Sequence, residues 1–280
     1  MRRLNGTIEI PSIVKWAGGK SQLLGQFNSL LPEKINFYIE PFLGSGAVFF
    51  QIKRNFNPKK IILSDINEEL INAYLVVRDK PEDLIKALKI HKEKHDKDYY
   101  YNVRALDLDK LTPIERAARF IYLNKTCFNG LYRVNSKGKF NVPIGSYKNP
   151  GILKEDIIKE ANKLLQGVTL EVLSFEKVLG FASKDSFIYL DPPYYPLNMT
   201  SKFTSYTKEV FLEDEQRKLA EVFKKLDRMG CKVMLSNSDH PFIRDLYKGF
   251  RQEIVTAKRM INCDATKRGP INEHVVLNYD

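Results

Sequence analysis

The chain is 280 residues long, 43% hydrophobic and 28% charged, which excludes an intrinsically disordered chain and leaves room for one large α/β domain or one domain carrying an insertion. Its 45 Lys and Arg against 34 Asp and Glu give a formal charge of +11, a balance that reads either as a solvated basic surface or as an attraction for polyanions through counterion release. Cys127, Cys231 and Cys263 lie far apart without a C-x-x-C pair, which argues against a disulfide framework or a zinc site. The N-terminus, interrupted by Glu9 and Pro11, does not read as a signal peptide, and no run approaches the ~20 apolar residues of a membrane span. The expected setting is the cytoplasm.

In chain order, the first informative segment is KWAGGKS. It contains Gly19-Lys20-Ser21, the end of a phosphate-binding Walker loop, but that loop needs a glycine where Val14 stands, so nucleotide triphosphate hydrolysis is rejected on it. Trp16, the one tryptophan of the chain, reads equally as core or as the wall of a ligand site.

The segment FYIEPFLGSGAVFF follows. Phe37–Ile39 reads as an apolar strand ending at Glu40, Gly44 and Gly46 as a tight turn, and the residues from about Ala47 as a helix. A second strand, Ile61–Leu63, leads to Asp65, 19 residues after Gly46, where doubly wound folds place a carboxylate on a ribose hydroxyl pair. With two glycines and no G-x-G-x-x-G, the turn suits a nucleoside without a pyrophosphate, S-adenosylmethionine among them, better than NAD or FAD.

Strand-helix spacing then pauses after about residue 78 and resumes near residue 168. Helical charge patterns fill this gap up to about Arg119, and loop-like sequence follows. Residues 121–150 hold five basic and no acidic residues, with five Asn, three Tyr and two Phe. That mixture suits phosphate contact, stacking and base-edge hydrogen bonds, with Arg133 a candidate for a bidentate guanine contact.

Val168–Leu173, Phe187–Leu190 and Val233–Leu235 complete a set of apolar strands that, alternating with helices, predicts a mostly parallel sheet. Glu253–Met260 and His274–Tyr279 predict a hairpin at one sheet edge. Asp191-Pro192-Pro193-Tyr194 follows Phe187–Leu190 directly, at the strand end where open α/β sheets place chemistry. The prolines fix φ and remove two amide donors, leaving a stiff loop with free carbonyls and a fixed carboxylate. A carboxylate and a carbonyl there can each accept one hydrogen of an exocyclic adenine amine, and Tyr194 offers a face for stacking an extruded base. Neither a metal nor a cysteine nucleophile is required, because a sulfonium methyl is already electrophilic and attack at an amine needs no covalent base adduct.

Together KWAGGK, YIEPFLGSG, SDIN, FNGLYRVN, FNVPIGSYKNP, LDPPYYPL and FTSYT resemble the Dam-type (D12 class, group alpha) DNA adenine-N6 methyltransferases, in the family's order and over most of the chain. The resemblance implies a Rossmann-like seven-stranded S-adenosylmethionine-dependent methyltransferase sheet formed by residues 1–78 and 165–280. It also implies a mainly helical target-recognition domain inserted at 79–164. Asp191, Pro192, Pro193 and Tyr194 would form the catalytic corner. Trp16, Ala17, Gly18, Lys20, Glu40, Phe42, Gly44, Gly46, Asp65 and Asp191 would bind or shape the site of S-adenosylmethionine. Lys15, Phe128, Asn129, Leu131, Arg133, Pro143 and Tyr147 would meet double-stranded DNA, with Phe128 as a wedge. The implied target is the adenine of GATC, reached by base flipping, and the implied setting is a restriction–modification system whose endonuclease acts separately. The loop Asn262–Pro270 departs most from the family, which leaves a DNA role for Arg268 open. An enzyme acting on cytosine N4, an RNA target and a DNA-binding protein without catalysis are the rival readings.

Overall fold

A computed structural model of the protein describes residues 3–4, 7–8, 10–197, 211–258 and 270–280. The FTSYT segment, Cys263 and Arg268 lie outside the described residues. The chain divides into two compact units, one of residues 1–21, 44–55 and 67–170, the other of residues 22–43, 56–66 and 171–280.

The first unit is mainly helical. After the short strands β1 (Arg3–Leu4) and β2 (Thr7–Ile8) it contains α2 (Ala47–Asn55), α3 (Glu68–Asp79), α4 (Pro81–Glu93), α5 (Lys97–Ala105), α6 (Pro113–Thr126) and α7 (Glu155–Leu165). Local chemistry sets the helix starts. Asn67 accepts from the Leu70 amide (3.1 Å) and Asp96 from the Tyr99 amide (2.7 Å), while Thr112 and Glu115 form a reciprocal capping box with Pro113 at the first helical position; such caps satisfy amides the helix itself leaves orphaned. Tyr74, Tyr100, Tyr122, Phe49 and Phe50 are fully buried in this unit. Helix α6 runs to Thr126, past the expected end near Arg119. Its residues Ala117–Asn124 are all buried, polar Arg119 and Asn124 among them, so this stretch of the helix offers no exposed face. Burial of Arg119 is met by Val103 and Arg104 carbonyls at 2.9 and 2.7 Å.

The second unit is built on a seven-stranded sheet, confirming the expected α/β class. It contains α1 (Leu24–Phe27), β3 (Phe37–Glu40), β4 (Lys60–Asp65), β6 (Phe187–Leu190), α8 (Glu213–Arg228), β7 (Lys232–Ser238), α9 (Pro241–Leu246), β8 (Arg251–Lys258) and β9 (Pro270–Leu277); β5 (Thr169–Val172) completes the sheet, in the order β5-β4-β3-β6-β7-β9-β8. Strands β4, β3, β6 and β7 are parallel neighbours, and β9 is antiparallel to both β7 and β8. The expected terminal hairpin is therefore present at the edge. Period-two alternation in β3 and β6 sends Ile39, Ile188 and Leu190 into one core with Leu219, Phe223, Leu226 and Tyr247. Tyr38 and Phe187 pack with tilted rings (5.8 Å), as do Phe27 and Tyr189 (6.0 Å). Each such side chain contributes about 1.5–3 kcal/mol by leaving water. Among the described residues no helix is long and apolar enough to cross a membrane.

Candidate active site and nucleic-acid interface

Three carboxylates follow from strand register. In the parallel run β4-β3-β6, Glu40 pairs with Leu63 and Ile39 with Ile188. Glu40 ends β3, Asp65 ends β4 two residues beyond that pairing, and Asp191 directly follows β6. All three therefore sit at the carboxyl edge of adjacent strands, where such sheets bind ligands. Glu40 is buried and accepts from the Tyr38 hydroxyl at 2.7 Å; burial, then the Glu40 charge, pushes the Tyr38 phenol well above its ordinary range. Phe42 stacks on Phe175 at 5.5 Å and meets Phe211 edge-on at 5.9 Å.

The Asp191–Tyr194 corner is held by groups remote in sequence. The Tyr194 hydroxyl donates to Glu273 of β9 at 2.6 Å. The Pro193 carbonyl accepts from Gln216 of α8 (3.0 Å), and the Tyr195 amide donates to Asn237 of β7 (3.1 Å). Burial, then the Asp191 and Glu273 charges, drives the Tyr194 phenol well above its usual value, so it stays a neutral donor. Burial and Asp191 do the same to Tyr189.

In the first unit, Trp16 stacks on Tyr132 at 5.9 Å and is half-buried. Gly44, at φ +48, lies so close that a Cβ there would stand 2.8 Å from Trp16 Cδ1. Its carbonyl accepts from the buried Tyr74 hydroxyl at 3.1 Å. Gly46 also has positive φ, and its carbonyl accepts the first bond of α2 from the Phe50 amide at 2.9 Å. Lys20 is buried and donates to the Gly18 carbonyl, while Ala17, Gly18 and Gly19 are exposed.

The same unit brings most of the basic and aromatic candidates together. Buried Asn124 accepts from the Lys15 amide (2.7 Å) and donates to the Lys15 carbonyl (2.8 Å) and the Gly130 carbonyl (3.1 Å). Lys15 Nζ lies 4.0 Å from the Tyr147 ring centroid. Asn129 and Gly130 both take positive φ, and the Phe128 amide donates to the Pro143 carbonyl at 2.9 Å. Phe128 is 46% exposed and Tyr147 37%. Leu131 is half-buried. Arg133 stands exposed on the adjoining hairpin, its Nε donating to Asn141 Oδ1 at 2.8 Å. Cys127 is buried, which pushes its thiol up to about 12 and makes it inert at neutral pH.

Asn124, Gln216, Asn237 and Glu273 are the site-supporting residues that the sequence reading passed over. Asn237 carries a usable signal: an amide ending an apolar strand, in MLSNSD, occupies the kind of position that Asp65 and Asp191 occupy.

Residues 16–261 match the family of D12 class N6 adenine-specific DNA methyltransferases. The type II methyltransferase M.MjaIII of Methanocaldococcus jannaschii is 47% identical over 290 residues, covering 97% of this chain and all of that one. The type II methyltransferase M1.LlaDCHI of Lactococcus lactis subsp. cremoris is 44% identical over 278 residues, covering 97% and 96%. A DNA adenine methylase of Haemophilus influenzae is 38% identical over 268 residues, covering 94% and 92%. The class is thus a DNA-modifying transferase on a Rossmann-like sheet. More narrowly, this chain belongs to the D12 class of N6 adenine-specific DNA methyltransferases, enzymes that act on DNA and take their methyl group from a donor of the S-adenosylmethionine type.

Proposed function

We propose that this protein transfers a methyl group from S-adenosylmethionine to N6 of the adenine in GATC, in double-stranded DNA, after flipping that base out of the duplex. The observation that carries the reading is the row of Glu40, Asp65 and Asp191 at the carboxyl edge of three adjacent parallel strands, with a proline-stiffened loop at its end. The donor set fits the cofactor. In this reading Asp65 takes a ribose hydroxyl pair at the end of its strand, Glu40 and Phe42 line the neighbouring strand end, and Trp16, Ala17, Gly18, Lys20, Gly44 and Gly46 have the cofactor roles that the family resemblance implies. Gly44 is consistent with this, since the space a Cβ would take is already filled by Trp16.

Bound S-adenosylmethionine supplies an electrophilic sulfonium methyl. The Asp191 carboxylate and the Pro192 carbonyl would each accept one N6 hydrogen, turning the amine lone pair out of conjugation and aiming it at the methyl; the new N6–methyl bond would replace the donor's sulfur–methyl bond, and N6 would release one proton. Tyr194 stacks the extruded adenine, at an unpairing cost of about a few kcal/mol. Lys15, Phe128, Asn129, Leu131, Arg133, Pro143 and Tyr147 meet the duplex, with Arg133 reading a base edge and Phe128 wedging into the stack. The division into a catalytic part, 1–78 and 165–280, and a recognition part, 79–164, is a division of labour in this reading. The type II names of the two relatives above support a place in a restriction–modification system in the cytoplasm, beside a separate endonuclease.

The test is methyl transfer from labelled S-adenosylmethionine to duplexes with one GATC and to duplexes with one base of it changed. Labelled N6-methyladenine in the GATC duplex alone is expected. Equal labelling of the altered duplexes would overturn the specificity, and label at cytosine N4 would overturn the chemistry.

A further inference from the structure

The loop that carries Asp191 lacks two successive backbone donors. Pro192 and Pro193 have no N–H, and β6 stops at Leu190 while its neighbour β7 continues to Ser238. With Leu190 paired to Leu235, the last residues of β7 run alongside the loop. Asn237 there is fully buried, as is Gln216 on α8. Their side chains form one directed chain of hydrogen bonds. Gln216 Nε2 donates to the Pro193 carbonyl (3.0 Å), Gln216 Oε1 accepts from Asn237 Nδ2 (2.9 Å), and Asn237 Oδ1 accepts from the Tyr195 amide (3.1 Å) and the Ser238 amide (2.8 Å).

The two ends of this chain dictate its sense. A carbonyl can only accept and an amide N–H can only donate, so each side-chain amide has a single orientation that satisfies both neighbours. A half-satisfied buried amide is costly, whereas two apolar side chains would fill the same space without that requirement. The pair therefore grips the peptide groups on either side of Tyr194, and the Tyr194–Glu273 bond at 2.6 Å fixes the ring itself.

We propose that Gln216 and Asn237 are positioning residues for methyl transfer, setting the aim of the Asp191–Pro192 acceptors and the attitude of Tyr194 without touching substrate. This rests on the proposed reading of the loop as the base-holding corner. A misplacement of about 1 Å in such a constellation lowers rate by about 10²-fold, and the loss falls on the chemical step, not on duplex affinity.

The test compares wild type, Gln216→Leu, Gln216→Glu and Asp191→Ala by single-turnover methylation of a GATC duplex between pH 5.5 and 8.5, with duplex Kd and thermal midpoint measured alongside. Gln216→Leu is expected to slow single turnover by about 10- to 100-fold with Kd within about twofold. Gln216→Glu supplies the missing donor only when protonated, so its rate relative to wild type rises as pH falls. A passive packing role gives no such acid rescue. If Gln216→Leu does not fold, the Gln216→Glu profile decides alone. A wild-type rate in Gln216→Leu, or a wild-type pH profile in Gln216→Glu, overturns the positioning role. Asp191→Ala separates the two claims: its retaining full rate sinks the base-holding reading itself, while its inactivity beside a fully active Gln216→Leu sinks the clamp alone.

Discussion

The carboxyl edge of the sheet and the hairpin after α6 carry opposite charge and are built on opposite plans. At the edge, acidic and aromatic groups are buried or half-buried and tied down, Glu40 by Tyr38 and Tyr194 by Glu273, and the Pro193 carbonyl is held by Gln216. Along residues 128–148, Arg133, Lys137, Lys139 and Lys148 stand exposed and the large rings Phe128 and Tyr147 face water. Chemistry at a poor nucleophile needs fixed acceptors, since any reorganisation during reaction adds to the barrier. Contact with a polyanion gains instead from charges that release counterions when the partner arrives. The difference predicts that variants at the edge alter the rate of transfer, and that variants of the hairpin alter which duplex is bound and how tightly.

The largest effect that sharpens this contrast is expected at Tyr194. Replacing it with Ala removes a stacking surface of about 1–3 kcal/mol and one anchor of the loop, so single-turnover methylation should fall by about 100-fold. Tyr194→Phe, which keeps the ring, should lose much less; equal losses would show that the hydroxyl, not the face, matters. Next is Arg133→Ala, expected to relax discrimination at one base position by about 1–3 kcal/mol while leaving the rate on GATC nearly intact. Competition among duplexes with single changes reads this directly, and an unchanged ranking would remove Arg133 from base readout. Phe128→Ala should weaken extrusion of the base a few-fold, seen as reduced enhancement of 2-aminopurine fluorescence at the target position.

The smallest effect belongs to the helical unit's own core. Half-buried His91, stacked 4.8 Å from Tyr122 and bonded through Nδ1 to the Tyr99 hydroxyl at 2.8 Å, has its pKa lowered to about 4, first by partial burial and then by Lys94. Its ordinary value is about 6.5. Between these limits the unfolded chain binds the proton and the folded one does not, so stability falls as pH drops from about 6.5 toward 4. His91→Phe should shallow that decline in urea midpoints taken at pH 7 and pH 5. His95, lowered mainly by burial, retains part of it. An identical slope in the variant would place the pH dependence elsewhere.

Most of the sheet's carboxyl edge was legible in the sequence because strands announce themselves by short apolar runs, and the first polar residue after such a run marks the edge of the sheet. Phe187–Leu190 coincides with β6, and Asp65 and Asp191 stand where the runs end. Strand ends were less legible: Lys60 joins β4 because it pairs with Phe37, a partner no local pattern names. The close of α6 was misread for a related reason. Ile121-Tyr122-Leu123-Asn124 is buried on every side, and burial of the polar Asn124 with its apolar neighbours leaves no polar face to mark the helix. Asn124 and Gln216 were hidden for a different reason. A buried amide with all its bonds made looks in sequence like any solvated one, and only the fold reveals its partners.

The central claim is that the carboxylate after β6 performs the transfer while the basic hairpin holds the duplex. Single-turnover methylation by Asp191→Ala, measured with its affinity for a GATC duplex and its thermal midpoint, tests it most directly. The account predicts no labelled N6-methyladenine with affinity and fold retained. Methylation at the wild-type rate, or the joint loss of activity, binding and fold, would contradict it.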